Sequence, residues 1–544
     1  MTTTKYIFVI GGVMSSVGKG VASASIGRIL QARGFEVTLM KIDPYINVDA
    51  GTMNPTEHGE VFVTEDGDET DQDIGNYERF IEKDILSTNY MTTGRVYQSV
   101  IQRERNLEYG GKCVEVVPHI PEEVIDRIKL AAKKTKAEIV IIQIGGTIGE
   151  YQNVLFLEAA RMLKLKNPND VRFVLVSYLP IPAKVGEMKT KPTQHAVRSL
   201  NGAGIQPDFI ICRSEQAIDK KRREKLATFC GIEPKAAISC ADVDSIYEVP
   251  LTFQKEKLDE QILEKFGLKL GKSDMKKWQN LVKKIKQVKK RVKIAIVGKY
   301  FGTGDFTLAD SYVSVIEATK HSAWKQGLQV EFEWIDSETY EKDPKKVKEL
   351  SEYNGIIVPG GFGTRGIEGI IKAIKYVREK KIPYLGLCYG MQLATIEFAR
   401  NVAKIRNATT TEMDIEAKHQ VIHIMPDQEK KLLKQDYGGT MRLGAWQCKL
   451  KRNTKAQKAY SKAVISERHR HRYEFNNEYR ARLEKAGLKI SGTSPDDRIV
   501  EIIELENHPF FLGVQFHPEF KSRPLDPHPL YMSFIKACTK NRKT

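Results

Sequence analysis

Residues 6–32 read YIFVIGGVMSSVGKGVASASIGRILQA. The apolar run Tyr6–Ile10 predicts a buried strand, and residues 18–32, which are rich in Ala and Ser, predict a helix that ends before Gly34. A glycine-rich turn between a strand and a helix directs backbone N–H groups and the positive end of the helix dipole at a phosphate, and Lys19 adds a positive charge. This stretch therefore predicts an α/β fold with a nucleotide triphosphate site at the end of its first strand.

The phosphate loop, residues 11–21, differs in two ways from the common GxxxxGK[ST] pattern. The spacing from Gly12 to Gly18 is one residue longer, and Gly20 stands where a hydroxyl would contact magnesium, so another group must hold the metal. Magnesium favours carboxylates together with phosphate oxygens and water. The acidic stretch 65–73 supplies several carboxylates, although a solvated acidic loop would have the same composition. A tight glycine turn with an exposed lysine is the alternative to a phosphate site.

Short apolar strands alternate with helices along both halves of the 544 residues, which is typical of doubly wound α/β domains with mostly parallel sheets. We predict two such domains, residues 1–270 and 293–544, joined by a basic linker helix over 271–292. The predicted strands are Tyr6–Ile10, Glu36–Ile42, Glu138–Ile144, Val171–Tyr178, Asp208–Cys212, Lys293–Val297, Val330–Trp334, Gly355–Val358 and Tyr384–Leu387.

The formal net charge of +17 is concentrated in one segment. Residues 272–293 contain nine Lys, one Arg and one Asp, a net charge of +9 and over half of the excess. A nucleic-acid patch would come with interleaved aromatic residues or a known binding module, and neither accompanies this segment. We therefore interpret it as a solvated linker and expect no nucleic-acid partner.

The cysteines and the apolar stretches indicate the compartment. The seven cysteines are odd in number and scattered without a CxxC pair, so the sequence indicates neither a disulfide framework nor a zinc ribbon. No apolar run approaches the ~18 residues that a spanning helix needs. The apolar stretch 6–14 has neither a basic region before it nor a cleavage site after it. We expect a cytoplasmic protein without a membrane partner.

A second strand-to-helix turn, GLCYG at 386–390, contains Cys388. Small flanking residues permit the strained elbow that exposes a nucleophile, and a helix N-terminus favours negative charge on a thiol. The loop PGGFG at 359–363 can offer backbone N–H groups to an oxyanion, and His517 is placed as a base with Glu519 two residues on to orient it. A buried structural cysteine is the alternative for the turn alone, but the three features together predict acyl transfer through a thioester.

PGGFG, GLCYGMQ and HPE are the signature strings of class I glutamine amidotransferase domains. Together with the phosphate loop, four further strings resemble the CTP synthase family: MKIDPYINVD at 40–49, EHGEVFV at 57–63, KTKPTQH at 189–195 and ERHRHRYE at 467–474. The resemblance runs over essentially the whole chain in the family's order. It implies a ligase of pyrimidine biosynthesis in which ATP phosphorylates O4 of UTP and ammonia from glutamine displaces that phosphate to give CTP.

The resemblance also implies which residues form each site. Catalytic roles are implied for Lys19, Lys41, Cys388, His517 and Glu519. An ATP site is implied for Ser16, Val17, Gly18, Lys19, Gly20, Val21, Asp73, Ala241, Asp242 and Val243. A UTP or CTP site is implied for Ser15, Glu150, Tyr151, Gln152, Lys189, Thr190, Lys191, Pro192, Thr193, Gln194 and Lys225. A glutamine site is implied for Gly361, Tyr389, Gly390, Met391, Gln392, Glu412 and Arg472.

Cofactors and partners follow from the same resemblance. Mg²⁺ would accompany ATP with Asp73 as a ligand, GTP would be an allosteric activator of glutamine hydrolysis, and CTP would be a feedback inhibitor. The loop 425–431 falls where the family's GTP-responsive lid is variable. The family assembles as a homotetramer, often further into filaments.

Two positions depart from the family's pattern. The second magnesium carboxylate of the family lies at the end of the strand before Gly-Gly-Thr, where this chain has Gln143, whose neutral carbonyl supplies no formal charge. In the next turn, where the family usually has two acids that contact CTP, this chain keeps Glu150 and has Gln152 in place of the other acid. Metal binding or phosphoryl transfer should therefore suffer, and the expectation of CTP inhibition is weakened.

Several functions stay open at this point. The chain is a divergent but active enzyme in which Asp73, Glu150 or water completes the metal shell, or an impaired nucleotide-binding form that assembles or hydrolyses glutamine without making CTP, or an enzyme with a changed substrate or inhibitor preference. An amidotransferase that amidates a carboxylate, such as a corrinoid side chain, would share the two-part plan. The KTKPTQH string and the Cys-His-Glu set argue against it.

Overall fold

The structure is a computed structural model that describes residues 3–184, 186–299, 302–303, 306–307, 309–425, 428 and 438–540. The chain groups into two compact units. The first unit comprises Met1–Asp49 and Asp73–Val282, and the second unit comprises Ala50–Gln72 and Lys283–Thr544. Both units are built from strands and helices, which confirms the predicted α/β class.

The strands are numbered here in chain order. They are β1 Lys5–Gly11, β2 Val37–Asp43, β3 Val61–Val63, β4 Glu69–Asp71, β5 Tyr90–Thr92, β6 Ile139–Ile144, β7 Val171–Tyr178, β8 Phe209–Ser214, β9 Ala237–Ala241, β10 Arg291–Gly298, β11 Gly302–Thr303, β12 Phe306–Thr307, β13 Gln329–Asp336, β14 Gly355–Val358, β15 Tyr384–Leu387, β16 Thr409–Thr410, β17 Gln420–Ile424, β18 Arg442–Leu450, β19 Val464–His471, β20 Tyr473–Phe475, β21 Lys489–Thr493, β22 Val500–Glu504 and β23 Phe511–Val514. The predicted strands recur in this set, with ends that differ by about two residues at most.

The α-helices follow the same numbering. They are α1 Lys19–Ala32, α2 Pro55–His58, α3 Gln72–Ile81, α4 Thr93–Arg105, α5 Val116–Thr135, α6 Val154–Lys166, α7 Lys191–Gly202, α8 Lys220–Cys230, α9 Val249–Lys255, α10 Leu258–Phe266, α11 Lys276–Gln287, α12 Val313–Lys325, α13 Glu338–Lys342, α14 Ile367–Lys380, α15 Tyr389–Asn401, α16 Lys455–Tyr460, α17 Arg480–Lys485 and α18 Pro529–Lys540. No helix among the described residues combines the length and the apolar composition needed to cross a bilayer.

β1 lies in the middle of the sheet of the first unit. Within the described residues this sheet has seven strands in the order β5-β2-β6-β1-β7-β8-β9, and each neighbouring pair is parallel. Parallel sheets are covered on both faces, which explains the near-continuous apolar sequences of β1 and β6. Ligands of such sheets bind at the carboxyl ends of the strands. Lys41 of β2 and Gln143 of β6 are register partners near that edge.

The sheet of the second unit is mixed. In the part of the chain that the structure describes it has nine strands in the order β13-β10-β14-β15-β23-β22-β21-β18-β19. The pairs from β13 to β23 are parallel, and the pairs from β23 to β19 are antiparallel. The parallel half agrees with the predicted doubly wound domain. The antiparallel half ends in β19, which contains most of the string ERHRHRYE.

The segment 50–72 clusters with the second unit although it lies in the N-terminal half of the chain. Its strands β3 and β4 form an antiparallel hairpin. Glu65 accepts from Arg468 Nε at 2.9 Å, and Glu69 accepts from Arg470 Nε at 2.8 Å. These partners are about 400 residues apart in sequence, so a local sequence pattern carries no signal for them.

The lysine-rich segment forms helix α11, and one face of it is apolar and buried. Trp278 is fully buried, and its Nε1 donates to the Tyr247 carbonyl at 2.7 Å. Leu281, Val282 and Ile285 are also buried. The lysines therefore occupy the opposite, hydrated face of an amphipathic helix, and the boundary between the two units falls within it, after Val282.

Candidate active sites

The phosphate loop connects β1 to α1 as the sequence predicts. Gly18 has φ of +81°, a left-handed conformation that favours glycine, and α1 begins at the next residue. Residues 13–16 are exposed at the turn. Lys19 Nζ donates to the Gly146 carbonyl at 2.6 Å, and burial lowers the pKa of Lys19 below its ordinary value. The first helical N–H groups and the lysine are thus placed around one loop.

Asp73 lies directly against this loop. A Cβ added at Gly20 would overlap Asp73 Oδ1, so the carboxylate fills the space that a serine or threonine side chain would occupy in the common pattern. Lys41 Nζ contacts Asp73 Oδ2 and lies 3.3 Å from Asp43 Oδ1. Burial alone would raise the pKa of Asp73, but the charge and hydrogen bond of Lys41 hold it below its ordinary value. The Asp73 carboxylate therefore occupies the position of the hydroxyl that this loop lacks.

Gln143 is buried and has both ends of its amide occupied. Its Nε2 donates to Asp73 Oδ2 at 2.6 Å, and its Oε1 accepts from the Tyr77 hydroxyl at 2.5 Å. The carboxylate only accepts hydrogen bonds, so it sets the orientation of the amide, and the Tyr77 hydroxyl donates to the carbonyl end. Gln143 acts on Asp73 as a hydrogen-bond donor, which a glutamate could do only when protonated.

Most of the predicted UTP residues lie in two segments, the turn 150–152 and the start of α7. Glu150 accepts from the Thr147 amide at 2.9 Å and from Gln152 Nε2 at 2.8 Å, and Tyr151 between them is 98% exposed. Residues 189–194 lead into α7. There Lys189 Nζ lies 2.6 Å from the Glu187 carboxylate. Lys225 is exposed on α8.

The residues predicted for adenine, 241–243, follow β9. The Asp242 carboxylate accepts from Arg213 Nη2 at 2.9 Å, and Arg213 Nε lies 3.8 Å from where a Cβ at Gly18 would be. Arg213 Nε is itself buried and has no hydrogen-bond partner among the described residues. Arg213 therefore joins the phosphate loop to the strand end at β9.

In the second unit, Cys388 occupies the turn between β15 and α15. Its φ and ψ are 48° and −95°, a conformation that is rare and strained for a residue with a Cβ. A Cβ at Gly390 would overlap the Val358 carbonyl, and one at Gly386 would lie 2.8 Å from the Gly390 carbonyl carbon. The small residues on both sides therefore permit the elbow, as the GLCYG string predicts.

His517 lies between the loop after β14 and a carboxylate. Its Nδ1 is 2.7 Å from Glu519 Oε1. Burial would lower the pKa of His517, but the Glu519 carboxylate and the neighbouring Cys388 raise it to about 10. Among the described residues its Nε2 has no hydrogen-bond partner. A Cβ at Gly360 would lie 2.7 Å from His517 Cε1, so the PGGFG loop and the imidazole are in close contact.

A cavity of about 230 Å³ contains the thiol. Cys388, His517, Glu519, Gly361 and Arg470 line it, together with residues of segment 50–72: Gly51, Met53, Glu60 and Val61. Cys388 Sγ lies 3.7 Å from the Arg470 carbonyl and 3.5 Å from Gln515 Nε2. The structure thus brings the predicted nucleophile, base and orienting acid to one cavity.

Of the predicted glutamine-binding residues, Gly361 lines this cavity. Glu412 Oε1 accepts from the Gly363 amide at 2.7 Å, while its Oε2 is buried without a partner among the described residues. Arg472 donates to Gln428 Oε1 and Thr440 Oγ1, each at 2.9 Å. Gln392 Nε2 donates to the Tyr473 carbonyl at 3.1 Å. Most of the loop 425–431 lies outside the described residues.

Comparisons with known proteins cover both units. A family model described as CTP synthase N-terminus matches residues 5–268, and one described as Glutamine amidotransferase class-I matches residues 307–537. A CTP synthase from Carboxydothermus hydrogenoformans is 52% identical over 541 residues, which cover 99% of each chain. One from Caldanaerobacter subterraneus subsp. tengcongensis is 50% identical over 535 residues, 98% of each chain.

This chain belongs to the CTP synthase family. Among solved structures, it is also similar to the glutaminase domain of Trypanosoma brucei CTPS with bound acivicin, at 39% identity and a TM-score of 0.43 over 46% of this chain and 96% of that one. Membership across the whole length makes the protein a ligase that converts UTP to CTP with ATP and glutamine as substrates. The resemblance drawn from the motifs is confirmed, and neither the impaired form nor the amidation of another carboxylate is favoured.

Sequence reasoning about this CTP synthase missed four residues that the structure places at the sites: Tyr77, Arg213, Lys299 and Gln515. Tyr77 and Gln515 contact predicted site residues through their side chains. Arg213 and Lys299 lie just past predicted strands whose neighbours are parallel. A charged residue at the carboxyl end of a parallel strand was the signal that would have found the last two.

Proposed function

We propose that the first unit carries the synthetase site and the second unit carries the glutaminase site, with domains over 1–270 and 293–544 and the basic linker helix over 271–292. The observation that supports the division best is the pair of loops: a phosphate loop with Asp73 against Gly20 in one unit, and Cys388 with His517 and Glu519 in the other. Residues 50–72 would serve the glutaminase unit, since they line the cavity that contains the thiol.

In the synthetase site, ATP would bind along Ser16–Val21, with its base near 241–243. Lys19 and Lys41 would stabilise the charge of the phosphoryl group as it moves to O4 of UTP. UTP would lie along 189–194 with Ser15, Lys225 and the turn 150–152. Ammonia then adds at C4, and phosphate leaves with the O4 oxygen to give CTP. Arg213, whose Nε is buried without a hydrogen-bond partner among the described residues, would bind a phosphate at the Gly18 end of the loop.

The residues at Asp73 fit a magnesium ion that arrives with ATP. The carboxylate of Asp73 would hold it from the side of Gly20, where no side chain intervenes. Mg²⁺ bound there would neutralise charge on the phosphates. Gln143 would keep the Asp73 carboxylate in place rather than offer its own carbonyl, because that carbonyl accepts from Tyr77. We therefore propose Asp73 as the metal ligand and Gln143 as its support.

In the glutaminase site, the Cys388 sulfur would attack the side-chain amide carbon of glutamine as a thiolate, with its proton held on His517. The oxyanion would accept from backbone amides that include Gly361. His517, oriented by Glu519, then donates that proton to the leaving nitrogen, which departs as ammonia, and water hydrolyses the thioester to glutamate. Glu412, whose Oε2 has no hydrogen-bond partner in the part of the chain that the structure describes, would bind the α-ammonium of glutamine. Arg472 would bind its carboxylate, with Tyr389–Gln392 around the side chain.

The two half-reactions can be tested separately. Cys388→Ala should abolish CTP formation with glutamine and leave CTP formation with ammonium chloride unchanged, while Lys41→Met should abolish both and leave glutamine hydrolysis measurable. CTP would be followed by absorbance and glutamate by a coupled assay. Glutamine-dependent CTP formation by the Cys388→Ala variant would contradict the assigned nucleophile.

Regulation and assembly follow the family in our proposal. GTP would activate glutamine hydrolysis, CTP would inhibit from the UTP site, and the chain would act in the cytoplasm as a homotetramer that extends into filaments. Ile101, Leu107 and Val116 are 52–72% exposed on or between α4 and α5, and this supports a self-association surface on the first unit. Native mass spectrometry of Leu107→Glu, with Leu165→Glu on another exposed face as control, tests this surface.

A further inference from the structure

Lys299 directly follows β10, and only 4% of its surface is exposed. A buried ammonium has lost its hydration and needs hydrogen-bond acceptors. Its Nζ lies 2.5 Å from the Gly363 carbonyl, 3.1 Å from the Tyr389 hydroxyl and 4.4 Å from the centre of that ring. None of the described carboxylates lies within ion-pair distance of it. Its position is therefore set by a backbone carbonyl and a phenol.

Gly363 is held on both sides of its α-carbon. Its amide donates to Glu412 Oε1 at 2.7 Å, and its carbonyl accepts both from Lys299 and from the Tyr389 hydroxyl at 2.7 Å. Its φ of +81° lies in the left-handed region, where the loop turns. Gly363 is thus the anchored end of the PGGFG loop.

The other end of the PGGFG loop lines the cavity that contains the Cys388 thiol. Gly360, Gly361 and Phe362 line the cavity with Cys388, and Gly360 is in close contact with His517. The Gly363 carbonyl and the Gly361 amide are separated by only two planar peptide units, so a shift of the carbonyl would displace the amide. An oxyanion donor that moves by about 1 Å can cost about 100-fold in rate.

We propose that Lys299 is a positioning residue for glutamine hydrolysis: its ammonium, together with the Tyr389 hydroxyl, fixes the Gly363 carbonyl and thereby the backbone amides that face the oxyanion at Cys388. This inference rests on the proposed role of the PGGFG loop. Lys299 touches no substrate; it acts through the loop. Tyr389, which was expected to contact glutamine, would have the same supporting role through its hydroxyl.

Charge on Lys299 strengthens this anchor. Burial, together with the nearby charge of Arg365, lowers the pKa of Lys299 to about 8. The carboxylates of Glu412 and Glu341 oppose this shift. The phenol of Tyr389 completes the set of titratable groups that face the ammonium. A neutral amine still donates a hydrogen bond, but a weaker one than the ammonium.

The test compares Lys299→Met, Lys299→Arg and Tyr389→Phe with a control, Lys372→Met. Lys372 also donates to a backbone carbonyl, that of Tyr340 at 3.2 Å, away from the cavity. Each full-length variant is assayed for kcat and KM of glutamine hydrolysis, for CTP formation from ammonium chloride, and for thermal unfolding. Cys388→Ala is included, because residual hydrolysis there would contradict the proposed site itself rather than the role of Lys299.

We expect Lys299→Met to lower kcat about 10- to 100-fold with little change in KM and with ammonium-dependent CTP formation unchanged. Tyr389→Phe should lower kcat less, and Lys372→Met not at all. Lys299→Arg should recover part of kcat and, because arginine stays charged, keep it at pH values above 8, where the parent declines. An unchanged kcat, a rise in KM alone, or a joint loss of ammonium-dependent activity and of thermal stability would each overturn the proposal.

Discussion

Replacing Gln143 by glutamate reverses the hydrogen bond that holds Asp73. Gln143 Nε2 donates to Asp73 Oδ2 at 2.6 Å, and the side chain is 1% exposed. Two unit charges 4 Å apart repel by about 4 kcal/mol at an effective dielectric constant of 20. Lys41 contacts the same oxygen and offsets part of this. We expect Gln143→Glu to lower the free energy of unfolding by about 1–3 kcal/mol in the absence of metal.

A divalent cation between the two carboxylates would reverse that loss. Mn²⁺ should therefore raise the unfolding temperature of Gln143→Glu more than that of the parent, because the variant offers two anionic oxygens where the parent offers one. The assay is thermal unfolding in EDTA and in increasing Mn²⁺, followed by CTP formation with ammonium chloride. The matched control is Gln194→Glu, which is also a buried amide but whose Nε2 donates to the Thr190 hydroxyl at 3.0 Å rather than to a carboxylate.

Two results would refute this reasoning. An unfolding temperature in EDTA equal to that of the parent would mean that Gln143 does not hold Asp73 as described. A metal response no larger than that of Gln194→Glu would mean that the two carboxylates do not share a cation. Comparable ammonium-dependent rates in parent and variant would show that the amide is tolerated in catalysis.

Two other substitutions test separate parts of the structure. Gly20→Ala should lower ammonium-dependent CTP formation about tenfold or more, because the added Cβ would overlap Asp73 Oδ1; a rate equal to the parent's would show that the carboxylate can move away. Burial would raise the pKa of Glu501, but His469 at 2.9 Å and the nearby Arg442 lower it from 4.5 to about 2. A depressed carboxyl pKa stabilises the fold above the unfolded value, so the parent should lose about 3 kcal/mol as the pH falls from 4.5 to 2. In Glu501→Gln that acid dependence should be absent, as acid titrations of unfolding would show.

The local parts of both sites could be predicted from the sequence. The stretches 6–32 and 384–390 each contain a buried strand, a turn of small residues and a helix within one short window, and the structure has them at nearly the predicted bounds. Such turns are encoded by their own residues, since a glycine or a left-handed φ is required there whatever the surroundings. His517 and Glu519 are two residues apart, so their contact was equally local.

Contacts between distant parts of the chain could not be predicted in the same way. Segment 50–72 belongs to the second unit and is held there by ion pairs such as that between Glu65 and Arg468. The sequence around either residue gives no indication of its partner. The net charge of the lysine-rich segment predicted a solvated linker, which is true of its lysine face. The opposite face is buried because Trp278 and other apolar residues pack there. The position of Lys299 after a strand was its one signal in the sequence, and its burial against the Gly363 carbonyl is what the sequence could not show.

Gly20 shows how a departure from a motif can be resolved by geometry. The sequence indicated that a hydroxyl was missing and that some carboxylate of 65–73 would replace it, but composition alone gave no reason to choose among them. In the structure Asp73 Oδ1 occupies the volume that a side chain at position 20 would fill. The carboxylate can approach the loop this closely only because residue 20 has no side chain. The same volume argument explains why restoring a hydroxyl at position 20 would harm the site rather than repair it.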